Sequence, residues 1–577
     1  MFSSLSPLLL TLLLLLLDKV IPVTSNVAAA PTADLSPPFV SAKTFVDGVL
    51  SSSSDDDSTC SISSTSLKKV YGCCDSSYQP QIIGDMPQFT TSQALAALTS
   101  SEKAWNGGSG EWPTMSLKGR IEAIQNFIVE LKTKREEIVN VLMWEIGKNV
   151  GDAESEFDRT IQFIEMTIEA IQNNASNLFD KTFQTISTTN ALVRRAAIGI
   201  ILCLGPFNYP LNETYATLIP ALLMGNVVLM KIPTVGGLAH LLTMEAFAKT
   251  LPPGTINFIS GPGRETMPPL MSKGTIDGLA FIGGSRAADD LMKTHPEPHR
   301  LKVFLQLEAK NMAIALPNIF EPENTSALKN TLDEVLLGSL SYNGQRCTAL
   351  KIIFIPKDQG ASFASQFAQR VQQLRIGFPW QSHEHGKYSQ ITPLPNARRV
   401  QYMKELIEDA TSKGAKIINE NGGTIVGGSE STLMIPAVLY PVTPDMKVYE
   451  EEQFGPIVPI VEYDSIDTVL QYGREGKYGQ QVSIFTASND DVLTSLVDSF
   501  SNIFGKININ SQCGRSPDTL PFSGRRSSAM GVMSVTDALR EFSVPTVISY
   551  KEKKEEEGMT ARIVEGVKQT SNFMQDI

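Results

Sequence analysis

The 577-residue chain predicts an α/β fold, with a parallel sheet covered by helices on both faces followed by a second α/β domain. Three observations carry this. Short apolar runs without alternation recur, such as AIGIILCL at 197–204, and read as strands buried on both faces. Segments with apolar residues at helical spacing separate them. The length exceeds what one hydrophobic core normally holds, so two or more domains are expected.

Taken in order, the first helix is predicted over 118–147, where Ile121, Ile124, Phe127, Ile128 and Leu131 recur at helical spacing. Phe157, Ile161, Ile164 and Ile168 give a second over 154–172. The period then changes. Strands are predicted at 197–204, 226–230, 256–259, 278–282 and 303–307, with helices at 215–224 and 240–249 between them. Beyond Asn311 come a helix at 332–342 and strands at 350–356, 457–461 and 482–485. The two domains would enclose a crevice, a common place for an active site.

Hydrophobic residues make up 42% and charged residues 19%, enough apolar material for a large core. The 61 acidic residues outnumber the 49 basic ones and no basic stripe occurs, so nucleic acid is not an expected partner. The spacing of Cys60, Cys73, Cys74, Cys203, Cys347 and Cys513 suits neither a disulfide scaffold nor a zinc site, and no metal is expected. Residues 8–17 are apolar except for Thr11. Such a run is too short for a bilayer core of about 30 Å, so no stable membrane insertion is expected. Residues 1–30 fit a signal or targeting leader, although the basic start of such leaders is missing. Residues 31–89 are rich in Ser, Thr, Pro and Asp and read as a low-complexity linker or transit region. The expected location is the cytoplasm, a plastid or another organelle rather than the exterior.

The chemistry-bearing residues sit where strands end. No GxGxxG follows a strand. Instead Lys231 and Thr234 (KIPT), Gly261-Pro262-Gly263 and Gly283-Gly284-Ser285 follow three successive strands, the ligand-binding end of a parallel sheet. The plainer reading of Lys231 is a snorkelling surface lysine. Cys347, in NGQRCTAL, has Arg346 beside it, a cation that would stabilise a thiolate. Cys203, inside an apolar strand, fits a structural cysteine better. In GPFNYP two prolines fix the loop around Asn208, whose amide could donate to a developing oxyanion or merely cap a turn.

Together, GPFNYPL, GNVVLMK, FIGGS, NGQRC and EEQFGP, in this order, resemble the aldehyde dehydrogenase superfamily over about residues 90–550. The resemblance implies a Rossmann-type nucleotide-binding domain at 90–308, with flap strands at about 179–197. It also implies a catalytic domain at 309–535, an oligomerisation strand at 536–550, a charged tail at 551–577, and a homodimer or homotetramer. It makes Cys347 the nucleophile, with Asn208 and the Cys347 N–H holding the oxyanion. Lys231, Thr234, Gly263, Gly284, Glu452 and Phe454 become cofactor contacts. The usual general base is a glutamate in a segment of the type ELGGK; here QLEAK at 306–310 puts Gln306 in its place. Glu308 would share a face with Gln306 if the segment is extended, and is the candidate base.

Within the superfamily, NYP at 208–210, Arg346 and the segment NINSQCGRSPDTLPFSGR resemble the non-phosphorylating glyceraldehyde-3-phosphate dehydrogenases. That likeness implies a small phosphorylated aldehyde as substrate, its phosphate met by Arg346 and Arg515. Thr234 replaces a glutamate common in NAD-preferring members, so NADP is the expected cofactor, with NAD also acceptable. The alternatives are a semialdehyde, aliphatic or coenzyme A-acylating aldehyde dehydrogenase, or a catalytically silent structural homologue.

Overall fold

The computed structural model describes residues 35–52, 66–75, 77–174, 177–551 and 558–575. The leader expected at 1–30 lies outside the described residues. The segment read as linker, 31–89, is corrected. It holds a short antiparallel hairpin, β1 (Lys43–Val46) and β2 (Val49–Ser52), and a long one, β3 (Ser66–Cys74) and β4 (Pro80–Gln88). The first turns through Asp47-Gly48, both at positive φ, as a two-residue hairpin turn requires. Sparse apolar residues suffice: Phe45, Ile83 and Met86 are buried against the main domain.

Four long helices follow: α1 (Thr91–Trp105), α2 (Leu117–Lys132), α3 (Arg135–Ile146) and α4 (Val150–Gln172). A capping box between Thr90 and Gln93 starts α1. The single helix predicted over 118–147 is two, interrupted at Thr133-Lys134. Antiparallel strands β5 (Gln184–Ile186) and β6 (Thr189–Ala197) come next.

The run 197–204 is likewise divided, and its sheet strand is β7 (Ile200–Leu204). Gly199 makes the break: its φ is 151°, and a Cβ there would lie 2.0 Å from an Asp277 carboxylate oxygen. That carboxylate accepts the Ile200 N–H at 3.0 Å. Then α5 (Asn212–Leu223), β8 (Val227–Lys231), α6 (Leu238–Thr250), β9 (Ile256–Ile259), α7 (Gly263–Met271), β10 (Gly278–Ile282), α8 (Ser285–Thr294) and β11 (Lys302–Gln306) alternate. Strands β11, β10, β7, β8 and β9 lie side by side in that order, all parallel.

The second sheet is built on β12 (Asn311–Ala315), which is followed by α9 (Thr325–Leu340), β13 (Leu350–Pro356) and α10 (Ala397–Ser412). Its later strands are β14 (Lys416–Ile417), β15 (Ala437–Tyr440), β16 (Ile457–Tyr463), β17 (Gln481–Phe485) and β18 (Lys506–Ile509). Their order is β14, β15, β16, β13, β12, β17, β18, with only β14 antiparallel to its neighbour.

The chain then returns to the first domain. Strand β19 (Ala529–Met530) pairs antiparallel with β11, so the block 309–535 also contributes two residues to the first sheet. Strand β20 (Ser543–Tyr550) pairs along the whole of β6 from Ser543↔Ala197 to Tyr550↔Asn190, forming a three-stranded flap with β5. The charged tail contains a helix, α11 (Met559–Thr570), and Lys568 donates to the Lys181 carbonyl beside the flap. Among the described residues no helix is long and apolar enough to cross a membrane.

Candidate active site

The carboxyl ends of the first sheet face a cavity of about 480 Å³, lined from the first domain by Asn208, Glu213, Gly284, Gln306 and Glu308 and from the second by Cys347, Glu452 and Phe454. Cys347 reaches it because the chain after α9 turns sharply. Tyr342, Asn343 and Gly344 all have positive φ, unusual for the first two. Side-chain bonds hold the turn: the Tyr342 hydroxyl donates to the Ile146 carbonyl, and the Asn343 amide to Thr392 O. Gly344 is required, since a Cβ there would sit 2.7 Å from the Ser339 carbonyl oxygen. Asn311 Nδ2 donates to the Cys347 carbonyl at 2.7 Å.

Burial pushes the Cys347 thiol up to about 12, with the carboxylates of Glu213 and Glu452 adding to the rise and Lys351 and Arg515 opposing it. Burial pushes Cys203 equally high, with Thr217 Oγ1 3.4 Å away. Acidity therefore does not separate the two thiols; access does, since Cys347 is partly exposed on the cavity and Cys203 is buried. A thiol far below its pKa gains about tenfold in thiolate per pH unit. Inactivation of the cofactor-free protein by iodoacetamide should therefore steepen about tenfold per unit from about pH 7 to about pH 10. A plateau below about pH 9 would contradict the raised Cys347 thiol.

Asn208 is buried, and one of its amide hydrogens goes to the Gln345 carbonyl at 2.8 Å, which ties its loop to the cysteine loop. The other remains for an oxyanion. The same loop is pinned by the Leu211 N–H, which donates to Glu156, itself paired with buried Lys148.

Strand β11 ends at Gln306, and the Leu307 N–H carries the antiparallel pairing with β19 one residue further by donating to the Ser528 carbonyl. Gln306 and Glu308 both line the cavity. Buried Gln306 has no partner for either its amide nitrogen or its oxygen. Glu308 accepts the Ser285 N–H at 2.9 Å, at the first residue of α8.

The Glu452 side chain is 9% exposed, and one of its carboxylate oxygens has no hydrogen-bond partner. Burial raises its pKa, opposed by Lys351 Nζ at 3.6 Å. Phe454, at a φ of 38°, stands edge-on to Phe207 with centroids 5.7 Å apart. Lys231 ends β8 almost fully buried, donates to the Ile232 carbonyl, and is lowered to about 8 by burial. With Thr234 and Gly261 it lines a second cavity of about 460 Å³. Gly263 lines neither cavity; it opens α7, and a Cβ there would meet only Met267, at 3.8 Å. The residues fit a dinucleotide: a buried ammonium and glycine turns at adjacent strand ends, and an orphaned Glu452 oxygen beside the thiol.

The two arginines expected to meet substrate are not among the cavity-lining residues. Arg346 donates to the Leu337 and Gly338 carbonyls and to Gln512. Arg515 lies behind Glu213, its Nη1 2.9 Å from that carboxylate and its Nε 3.2 Å from Asp518. Other cavity residues escaped the sequence reading. Arg399, on α10, lies 5.2 Å from the Phe207 ring and 5.7 Å from that of Phe454. Tyr402, one turn on, donates to Glu451. Nothing local marks either. Glu213 had a signal: it is the one carboxylate in the apolar stretch PLNETYATLIPALLM.

A thiol in the crevice between two α/β domains, with an amide donor, a carboxylate and a dinucleotide-shaped strand end around it, defines a cysteine-dependent oxidoreductase. The profile of the aldehyde dehydrogenase family matches residues 63–548, and the chain belongs to that family. It is an NAD(P)-dependent aldehyde dehydrogenase. Among its relatives, the NADP-dependent glyceraldehyde-3-phosphate dehydrogenase of Streptococcus equinus is 30% identical over 78% of this chain and 88% of its own length. That of Apium graveolens is 28% identical over 74% and 82%. The NADP complex of the Bacillus halodurans enzyme of that name superposes with a TM-score of 0.74 at 25% identity, covering 89% of this chain and 99% of its own. The fold is equally shared with Escherichia coli lactaldehyde dehydrogenase, TM-score 0.75 at 21% identity, covering 90% and 100%.

Proposed function

We propose that the protein oxidises glyceraldehyde 3-phosphate to 3-phosphoglycerate with NADP. The observation that carries the chemistry is Cys347 facing one cavity with Asn208, Glu308 and Glu452. The choice of aldehyde rests on the NADP-dependent relatives and on Arg346, Arg515 and Arg159 near that wall.

In this reading the Cys347 thiolate attacks the aldehyde carbon and forms a thiohemiacetal. The second N–H of Asn208 and the Cys347 backbone N–H donate to its oxyanion. NADP, when bound, supplies hydride acceptance. Lys231 and Thr234 hold its adenosine ribose, and threonine, being uncharged, admits a 2′-phosphate. Gly284 leaves room for phosphates, and Glu452 takes ribose hydroxyls beside Phe454. Water then cleaves the Cys347 thioester after giving its proton to Glu308. The exposed flap residues Ile186, Val193, Val544 and Val547 suit assembly into a homodimer or homotetramer.

A second reading, an uncharged aldehyde, is favoured by the Glu213–Arg515 pair, which already neutralises one arginine. A panel of glyceraldehyde 3-phosphate, lactaldehyde and succinate semialdehyde with NADP and NAD separates them. The first reading expects kcat/KM for the phosphorylated triose with NADP to lead by at least about tenfold, roughly 1.4 kcal/mol of discrimination. Faster use of succinate semialdehyde would defeat it.

A further inference from the structure

Beside the thiol, two arginines and two carboxylates form a closed charge cluster. Glu213 Oε1 is 2.9 Å from Arg515 Nη1, Asp518 Oδ1 is 3.2 Å from Arg515 Nε, and Asp518 Oδ2 is 3.1 Å from Arg159 Nη2. The Arg515 side chain is 7% exposed and that of Glu213 12%. Glu213 lines the cavity and Arg515 does not, so the carboxylate stands between the guanidinium and the space in front of Cys347. The pairing is incomplete. Nη1 of Arg515 has only the Glu213 carboxylate at 2.9 Å, and Nη2 is buried without a hydrogen-bond partner. A guanidinium fork is best satisfied by two oxygens of one anion. Buried donors left unmade favour any ligand that completes them.

We propose that Glu213 is an exchangeable counter-anion that occupies the oxyanion seat of Arg515 in the free protein and sets its affinity for anionic substrates. A phosphate entering from the cavity displaces the Glu213 carboxylate and takes both Nη donors. Asp518 stays on Nε and on Arg159, and so holds the fork in place. Glu213 thereby penalises anionic aldehydes in proportion to the strength of its own ion pair, and it is the residue that decides between charged and uncharged substrates. The inference rests on reading this cavity as the aldehyde site.

The test uses inorganic phosphate as the probe and Cys347 alkylation as the readout in the full-length protein. Phosphate should protect Cys347 from iodoacetamide with an apparent Kd about 10- to 100-fold lower in Glu213→Gln than in the unaltered protein, the scale of a buried charge pair. Adding Arg515→Met to Glu213→Gln should erase that gain. Acetate, with one charge fewer, should gain less than phosphate. Should the glutamine variant fold poorly, Glu213→Leu and the phosphate-induced rise in Tm give the same comparison. An unchanged phosphate Kd in Glu213→Gln, or a gain that survives the loss of Arg515, overturns the proposal. Turnover separates it from the substrate reading. If phosphate binding follows Glu213 but glyceraldehyde 3-phosphate is not oxidised by either form, the substrate reading fails and the counter-anion stands. If that aldehyde is a good substrate and its KM does not move in Glu213→Gln, the counter-anion fails and the substrate reading stands.

Discussion

Replacing Cys347 by serine should lower aldehyde oxidation by about 10⁴-fold or more, the scale on which enzymes lose their nucleophile. NADP binding should change little. The hydroxyl is nearly isosteric, but it has no thiolate-like population at neutral pH and attacks a carbonyl poorly. The loop geometry should survive, because the positive-φ turn at Tyr342–Gly344 is held by Tyr342, Asn343 and Asn311 and not by the sulfur. Cys203→Ser is the control. Its thiol is buried in β7 against Thr217, so the variant should keep most of the activity once any loss of Tm is allowed for. Steady-state rates and NADP titration on both variants check this. Equal loss in the two would remove the reason for choosing Cys347.

The second large effect concerns deacylation. Glu308→Gln should still release a burst of NADPH approaching one equivalent per site, because attack and hydride transfer precede hydrolysis. Steady turnover should then fall by about 10²–10⁴, the usual contribution of a general base. The cavity holds four carboxylates: Glu213 faces Arg515, Glu451 accepts from Tyr402, and Glu452 lies near Lys351. Glu308 accepts from a backbone N–H and is the one of the four with no ion pair or side-chain hydrogen bond. Gln306→Glu is the contrasting variant. It places a carboxylate where an amide now sits buried and unpartnered, and should raise turnover of Glu308→Gln by supplying a second proton acceptor. Rapid-quench burst kinetics on the single and double variants, with and without coenzyme A, gives the answer. A silent Glu308→Gln, or strong acceleration by coenzyme A with a thioester as product, would end the hydrolytic assignment.

Much of the frame was legible in the chain. The strands at 256–259, 278–282 and 350–356 coincide with β9, β10 and β13, because a strand buried on both faces must be a continuous apolar run bounded by turn residues. Other boundaries depended on distant contacts. The run at 197–204 reads as one strand, but Asp277 packs against Gly199 and caps the Ile200 N–H, dividing it. The hairpins at 43–52 and 66–88 were hidden by serine-rich composition, since their few apolar residues are buried by a surface that other segments provide.

The α/β class could be read from the chain, and so could the candidates: a thiol, a loop amide and a lysine at a strand end. Each of these is a local property: a period, a turn, or a reactive side chain between breakers. Which charges face the thiol could be read only from the folded chain. From the chain alone Arg515 is either a phosphate contact or a partner of Asp518; folding keeps Asp518 beside it, sets Glu213 in front of it, and turns Arg346 onto main-chain carbonyls. Electrostatic interaction depends on distance and burial between groups far apart in the chain, and neither quantity is written in local spacing.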